Sequence, residues 1–423
     1  MSRQRSRSFS SYLAAALVAL ASGLGSCSST PAAPPVVFAA EERNLLLTLS
    51  PLPAPPRDAT NAVDGLPTAI ALGAALFFDP RLSGSGRFSC SSCHDPAKAW
   101  TDGRSLPLAE GTGLRNTLTL WNAAHQRWLL WDGGADSLWS QALRPIEDPL
   151  EMNATRLQVA RTVAEDASLS ALYRNVFGAA PALGAGPWPA SAGPRALDPA
   201  AQLAWWQLDP ADRERVNRIF ANVGKSLASF VGTIVTKPAP FDRFVEELRA
   251  GHSSSNALTP AQQRGLKLFI GRGNCVLCHS GPHFSNLEFH DIRVPPLNTA
   301  MRPDLGRSEG IAKLSGDEFV SAGYFSDDPL GTRAQHLAYL DGEAGVRGHF
   351  RTPSLRNVAL TAPYMHQGQI ATLREVVEHY STLANAVEPA DPNHVEALIV
   401  PLALSEREVD DLVAFLHSLT SDP

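Results

Sequence analysis

The sequence predicts a mainly α-helical protein built from two similar halves. Three observations carry this. Apolar residues recur at helical spacing along much of the 423-residue chain, and strand periodicity is weak throughout. A helix, a short loop and a Cys-x-x-Cys-His motif occur twice, at Cys90, Cys93 and His94 and again at Cys275, Cys278 and His279. Four of the five cysteines are used in those motifs, so no disulfide framework competes for them. The length suits two ordinary domains. A net charge of −6 without any Lys/Arg run argues against a nucleic-acid partner.

Taken in order, Arg3, Arg5 and Arg7 form a basic start, and an apolar stretch from Leu13 to about Leu24 follows. This reads as an export signal, too short to span a bilayer. Leu24-Gly25-Ser26-Cys27 resembles a lipobox, which would make Cys27 a lipidated N-terminus; an ordinary signal peptide with an incidental Cys is the alternative. Residues 28–62 are rich in Pro and Ala and read as a tether. A helix is expected from Pro67, with Leu72, Ala75, Leu76 and Phe77 on one face, ending at Asp79-Pro80. Residues 214–236 read as a strong helix closing the first half, and 178–200 as an Ala/Pro/Gly-rich surface insertion. Thr259-Pro260 starts the helix before the second motif. Ser405 and Glu408 match a capping box for a last amphipathic helix.

The two motifs carry the chemistry. Their spacing sets two sulfurs along one edge of a porphyrin for thioether bonds, and the adjacent His reaches the iron. One copy alone could be a zinc half-site or a redox dithiol. Two copies in an exported chain point to two covalently bound haem c groups, with His94 and His279 as proximal iron ligands. The expected architecture is therefore two cytochrome-c-type haem domains with long loops, the second an internal duplication of the first. The expected boundaries are a signal peptide at 1–27, the tether at 28–62, a first haem domain at 63–245 and a second at 246–423.

Several ordered motifs extend the reading: Leu76 to Ser83, Arg115-Asn116-Thr117, Trp131-Asp132-Gly133, Gln141 to Met152, and Thr352 to His366. Together with the two haem motifs they resemble the bacterial di-haem cytochrome c peroxidase and MauG family over about residues 66 to 420. The resemblance implies that the first haem reacts with hydrogen peroxide. It implies Gln141 and Glu151 in that haem's distal pocket, where a carboxylate moves the peroxide proton and an amide orients the substrate. It implies Trp131 between the haems as the electron bridge, and a calcium held at Asn116, Thr361 and Pro363.

Two departures from the family pattern narrow the expectation. Many of these peroxidases carry a His on the loop after the first motif that caps the iron at rest, whereas Leu106 to Gly113 holds none. The first haem is expected to be open without reductive activation. At the position of the second haem's sixth ligand the peroxidases use Met, and this chain has Tyr380, as MauG does. A phenolate ligand lowers the potential where a thioether raises it. Neighbouring His379 is the alternative ligand. A third departure is Gly134, where Arg is frequent.

The expected function is peroxide reduction at the His94 haem, with electrons arriving through the second haem from a donor cytochrome or from residues of a partner protein. A di-haem electron carrier with both irons closed is the competing class. The expected location is the periplasm, with a lipid anchor to the outer membrane. His366 and the histidines outside the motifs, His125, His283 and His290 among them, are expected to be structural or surface residues.

Overall fold

The computed structural model describes residues 36–183, 188–252, 255–300, 302–340 and 345–421. The expected signal peptide and Cys27 lie outside the described residues. Fifteen α-helices, five short 3-10 helices and one two-residue strand pair are described. In the first part of the chain these are α1 (Ala40–Thr48), α2 (Pro67–Phe77), α3 (Cys90–Cys93), α4 (Leu138–Glu147), α5 (Arg156–Glu165), α6 (Ala167–Phe177), α7 (Pro199–Gln207) and α8 (Pro210–Val231). Then come α9 (Pro240–Arg249), α10 (Pro260–Ile270), α11 (Cys275–Cys278), α12 (Arg307–Ser315), α13 (Thr332–Gln335), α14 (Leu373–Thr382) and α15 (Glu406–His417). Strand β1 (Phe289–His290) pairs antiparallel with β2 (Phe350–Arg351), Phe289 opposite Arg351. Among the described residues no helix is long and apolar enough to cross a membrane.

The helix ends follow local chemistry. Proline at the first position sets the start of α2, and Thr259 caps α10, accepting from the Gln262 amide at 3.3 Å. Helix α8 starts four residues before its expected start, because Asp209 accepts from the Ala211 amide at 2.8 Å and Pro210 fits the first turn. It stops at Val231, short of the expected 236. Ser405 and Glu408 form the expected capping box of α15.

The same crossing recurs in both halves. Helix α2 packs on α8, and α10 packs on α15. A Cβ on Gly73 would overlap the Ser226 carbonyl, and one on Gly265 would overlap the Asp411 carbonyl. Each glycine therefore lets two backbones meet.

Two hydrophobic cores result, and neither follows chain order. Leu72, Trp139 and Phe220 anchor the first, which also takes Phe319 and Phe325 from far downstream. Phe269, Phe284 and Phe415 anchor the second, which also takes Phe38, Leu46 and Leu49 from the N-terminal arm. The expected tether at 28–62 thus gives way to α1, whose Leu46 is fully buried and whose preceding Phe38 meets Phe244 edge-on at 5.8 Å. The 178–200 insertion is likewise not all surface, since Ala192 is buried and its carbonyl accepts from Leu157 at 3.1 Å.

Positions 235 residues apart share backbone geometry. Asn122 and Asn357 have φ of 59° and 60°, Leu130 and Met365 of 66° and 72°, Gly133 and Gly368 of 67° and 62°. Leu129 bonds Ala135 at 2.8 Å as Tyr364 bonds Ile370 at 2.7 Å. Helices α4 and α14 also start 235 residues apart and have ten residues each.

Candidate haem sites and distal residues

Each Cys-x-x-Cys-His motif forms one helical turn, α3 or α11, that ends on its histidine. The turn places the two sulfurs on one side and turns the imidazole inward. His94 Nδ1 donates to the Trp100 carbonyl at 3.1 Å, and His279 Nδ1 donates to the Phe284 carbonyl at 2.9 Å. Those bonds fix the ring and leave Nε2 as the ligand atom. Burial lowers both imidazoles, His279 to about 4, so each is the neutral base that a metal requires.

The four thiols are free of disulfides. Burial pushes Cys90 and Cys275 up to about 12 and Cys93 to about 11. Thiolates, which zinc binding and dithiol exchange need, are suppressed there. Thioether attachment to a porphyrin leaves no such charge to bury.

One continuous cavity of about 700 Å³ connects the two motifs. His94 and His279 line it, as do Trp131, Gln141, Glu151, Tyr380, Asn116, Thr361 and Pro363. Every residue named from sequence as distal, bridging or ion-binding thus faces one space.

Gln141 lies on α4, and Glu151 on the tight turn after it. That turn is held from the other side by the loop that lacks a histidine. Glu110 N donates to the Glu151 carbonyl at 3.2 Å, and Gly111 N donates to the Leu150 carbonyl at 2.9 Å. Burial raises the Glu151 carboxyl to about 7; Asp148 adds to the rise and Lys313 opposes it. A carboxyl near neutrality can both accept and return a proton.

Trp131 Nε1 donates to the Asn116 carbonyl at 2.8 Å. The next residue, Asp132, is fully buried and bonded by Arg115 at 2.5 Å and by Lys313 at 2.8 Å. Burial alone would raise its carboxyl, but the two cations outweigh it and hold it at about 2. Gly134 fits here, because a Cβ would press on Asp132 and on the Lys313 stem.

Tyr380 lies on α14, and burial holds its phenol above the ordinary range. Neighbouring His379 is turned elsewhere, with Nε2 3.0 Å from the Ile292 carbonyl, and does not line the cavity.

The chain matches the family model described as di-haem cytochrome c peroxidase over residues 67–250. It is 33% identical to the methylamine utilization protein MauG of Methylorubrum extorquens, over 84% of this chain and 79% of that protein. It is 33% identical to cytochrome-c peroxidase IdrP1 of Denitromonas iodatirespirans, over 88% and 86%. The chain belongs to the di-haem cytochrome c peroxidase and MauG family. Among solved structures, the di-haem peroxidase BthA of Burkholderia thailandensis superposes with a TM-score of 0.61 at 26% identity, covering 86% of this chain and 89% of that one. A MauG-like protein associated with microbial copper homeostasis superposes at 0.59 and 26%, covering 88% and 94%. As a member of this family the chain is an oxidoreductase of peroxidase type that carries two haem c groups.

Sequence reasoning passed over Arg351 in this family member and gave the histidines near it structural or surface roles. Arg351 and His290 line the cavity, and His290 Nδ1 lies 2.6 Å from Glu396. His283 is buried against Gln126 and stacks with His125, ring centres 5.6 Å apart. His366 is buried and stacks on Phe350 at 3.7 Å, a packing role. The available signal was the 235-residue repeat, which places Arg351 opposite Asn116 and His366 opposite Trp131.

Proposed function

We propose that this protein reduces hydrogen peroxide at the His94 haem and draws electrons through Trp131 from the His279 haem. The observation that carries it is Glu151, a carboxyl near neutrality on the cavity wall with Gln141 and His94. When bound, the haem supplies the iron that takes up peroxide and stores oxidising equivalents. Glu151 accepts the proton of the inner peroxide oxygen and returns it to the outer one. Gln141 orients the substrate through its amide. In this reading Trp131 bridges the two sites, supported by its Nε1 bond to the Asn116 carbonyl and by the Arg351 amide on its own carbonyl.

In this reading Tyr380 would hold the second haem's iron and stabilise its oxidised state, which would favour oxidation of a partner protein in the MauG manner over donation by a small cytochrome. Leu106 to Gly113 offers no histidine to cap the first haem, which would then need no reductive activation. The calcium position fits three neutral oxygen donors. Asn116 Nδ2 donates to the Arg104 carbonyl at 2.8 Å, which leaves Oδ1 for an ion, and Thr361 and Pro363 line the same space. The haem domains at 63–245 and 246–423 are read as a duplication, supported by the paired φ values and the matched helices α4 and α14. Export to the periplasm and lipidation at Cys27 rest on the sequence of residues 1–27.

Electron paramagnetic resonance of the oxidised, haem-loaded protein tests this. One high-spin and one low-spin ferric signal are expected, with the high-spin signal lost on adding peroxide. Two low-spin signals and inertness to peroxide would leave an electron-transfer cytochrome.

A further inference from the structure

Arg351 sits in β2 and is 5% exposed. Its Nε donates to the Leu130 carbonyl at 3.2 Å, and its Nη1 donates to Gln126 Oε1 at 2.5 Å. Its backbone N–H donates to the Trp131 carbonyl at 2.9 Å. All three acceptors are neutral. Arg156 and Arg356, buried as deeply, have carboxylates: Arg156 meets Glu147 at 2.9 Å and Arg356 meets Asp242 at 2.9 Å. Arg307, 4% exposed, donates to the Asp132 and Gly133 carbonyls but lies over the Trp128 and Phe289 rings. Among the described residues no carboxylate pairs with Arg351. Burial lowers its guanidinium to about 10, so it stays cationic at neutral pH. A buried cation on neutral partners alone is costly, and buried charges are normally paired.

Arg351 lines the cavity that joins His94 to His279. A bound haem would carry two propionates, and a guanidinium binds a carboxylate through parallel N–H donors.

The repeat supplies a second, independent argument. Asn116, Thr361 and Pro363 correspond at 235 residues to Arg351, Gln126 and Trp128. The reciprocal contacts match as well. Asn116 N donates to the His366 carbonyl at 2.8 Å, and Arg351 N donates to the Trp131 carbonyl at 2.9 Å. The three positions assigned to an ion on one side of the pair are thus answered on the other by a guanidinium bonded to Gln126.

We propose that Arg351 is a built-in cation that binds a haem propionate beside Trp131, the covalent counterpart of the ion position at Asn116. This rests on the haem reading above. Propionate binding and the bridging indole are then held by one residue. A fixed positive charge near the haem favours the reduced metal.

The test uses the purified, haem-loaded protein and two variants. Arg351→Gln is expected to keep both covalent haems and lower the potential of at least one. The expected fall in its reduction equilibrium constant is about tenfold, 59 mV for a one-electron couple. Arg351→Lys keeps the charge but loses the paired donors. It is expected to hold the potential near wild type and to shift the haem propionate bands in resonance Raman spectra. Potentials unchanged in Arg351→Gln with both haems attached would overturn the proposal. Should that variant not fold, unmoved propionate bands in Arg351→Lys would overturn it. Wild-type protein without a covalent haem absorption band would instead sink the haem reading itself.

Discussion

The Arg351 amide donates to the Trp131 carbonyl at 2.9 Å, and the Asn116 amide donates to the His366 carbonyl at 2.8 Å. Each half therefore grips the other beside the indole. Trp131→Phe keeps an aromatic ring but loses part of the indole, with Nε1 and its bond to the Asn116 carbonyl. Stopped-flow spectra should show peroxide still reacting at the first haem while oxidation of the second slows. Equal rates at both haems would show that electrons take another route.

Glu151→Gln should reduce peroxide-dependent turnover by roughly 10²–10⁴-fold with haem content unchanged. Because burial holds this carboxyl at about 7, the acceptor form disappears as pH falls below that value. Wild-type kcat/KM should therefore rise with pH to a plateau above about 7, and the variant should lose that step. A variant with the wild-type pH profile would remove Glu151 from the proton transfer.

Tyr380→Met exchanges a phenol for a thioether and should raise the second haem's potential, by on the order of 100 mV within the roughly 0.8 V that axial ligands span. Tyr380→Phe should change the low-spin resonance signal. An unchanged signal would mean that another group holds the iron.

The Asp132 carboxylate is held at about 2, below its unfolded value of about 3.9. A depressed carboxyl stabilises the fold above the unfolded value and stops doing so as pH falls toward about 2. Asp132→Asn should therefore cost on the order of 2–3 kcal/mol at neutral pH, with the difference from wild type shrinking in acid. Urea unfolding at several pH values measures this.

Gly73→Ala and Gly265→Ala each drive a methyl into a backbone carbonyl on the crossing helix. Each should destabilise by roughly 1–3 kcal/mol or more, read as a lower urea midpoint. A neutral effect at either site would mean that the crossing slides to make room.

The sequence carried much of this because several determinants are local. Pro67, and Thr259 with Pro260, announce α2 and α10 through first-turn chemistry, and each Cys-x-x-Cys-His motif closes its own helical turn. Gln141, Glu151 and Tyr380 were placed by family resemblance and meet on one cavity. What the sequence hid depends on distant partners. Leu46 looks like a residue in a Pro/Ala-rich tether until the second core closes over it. Arg351 looks like a surface arginine until Leu130 and Gln126, more than 200 positions upstream, enclose it. The end of α8 was missed because apolar spacing runs on past Gly232 while the backbone turns.

The exchange of Phe38, Leu46 and Leu49 into the second core, and of Phe319 and Phe325 into the first, has a practical consequence for anyone dissecting this protein. A cut near residue 245 would hand each fragment an interior with pieces missing. Single-haem versions are therefore better sought by replacing cysteines than by truncation.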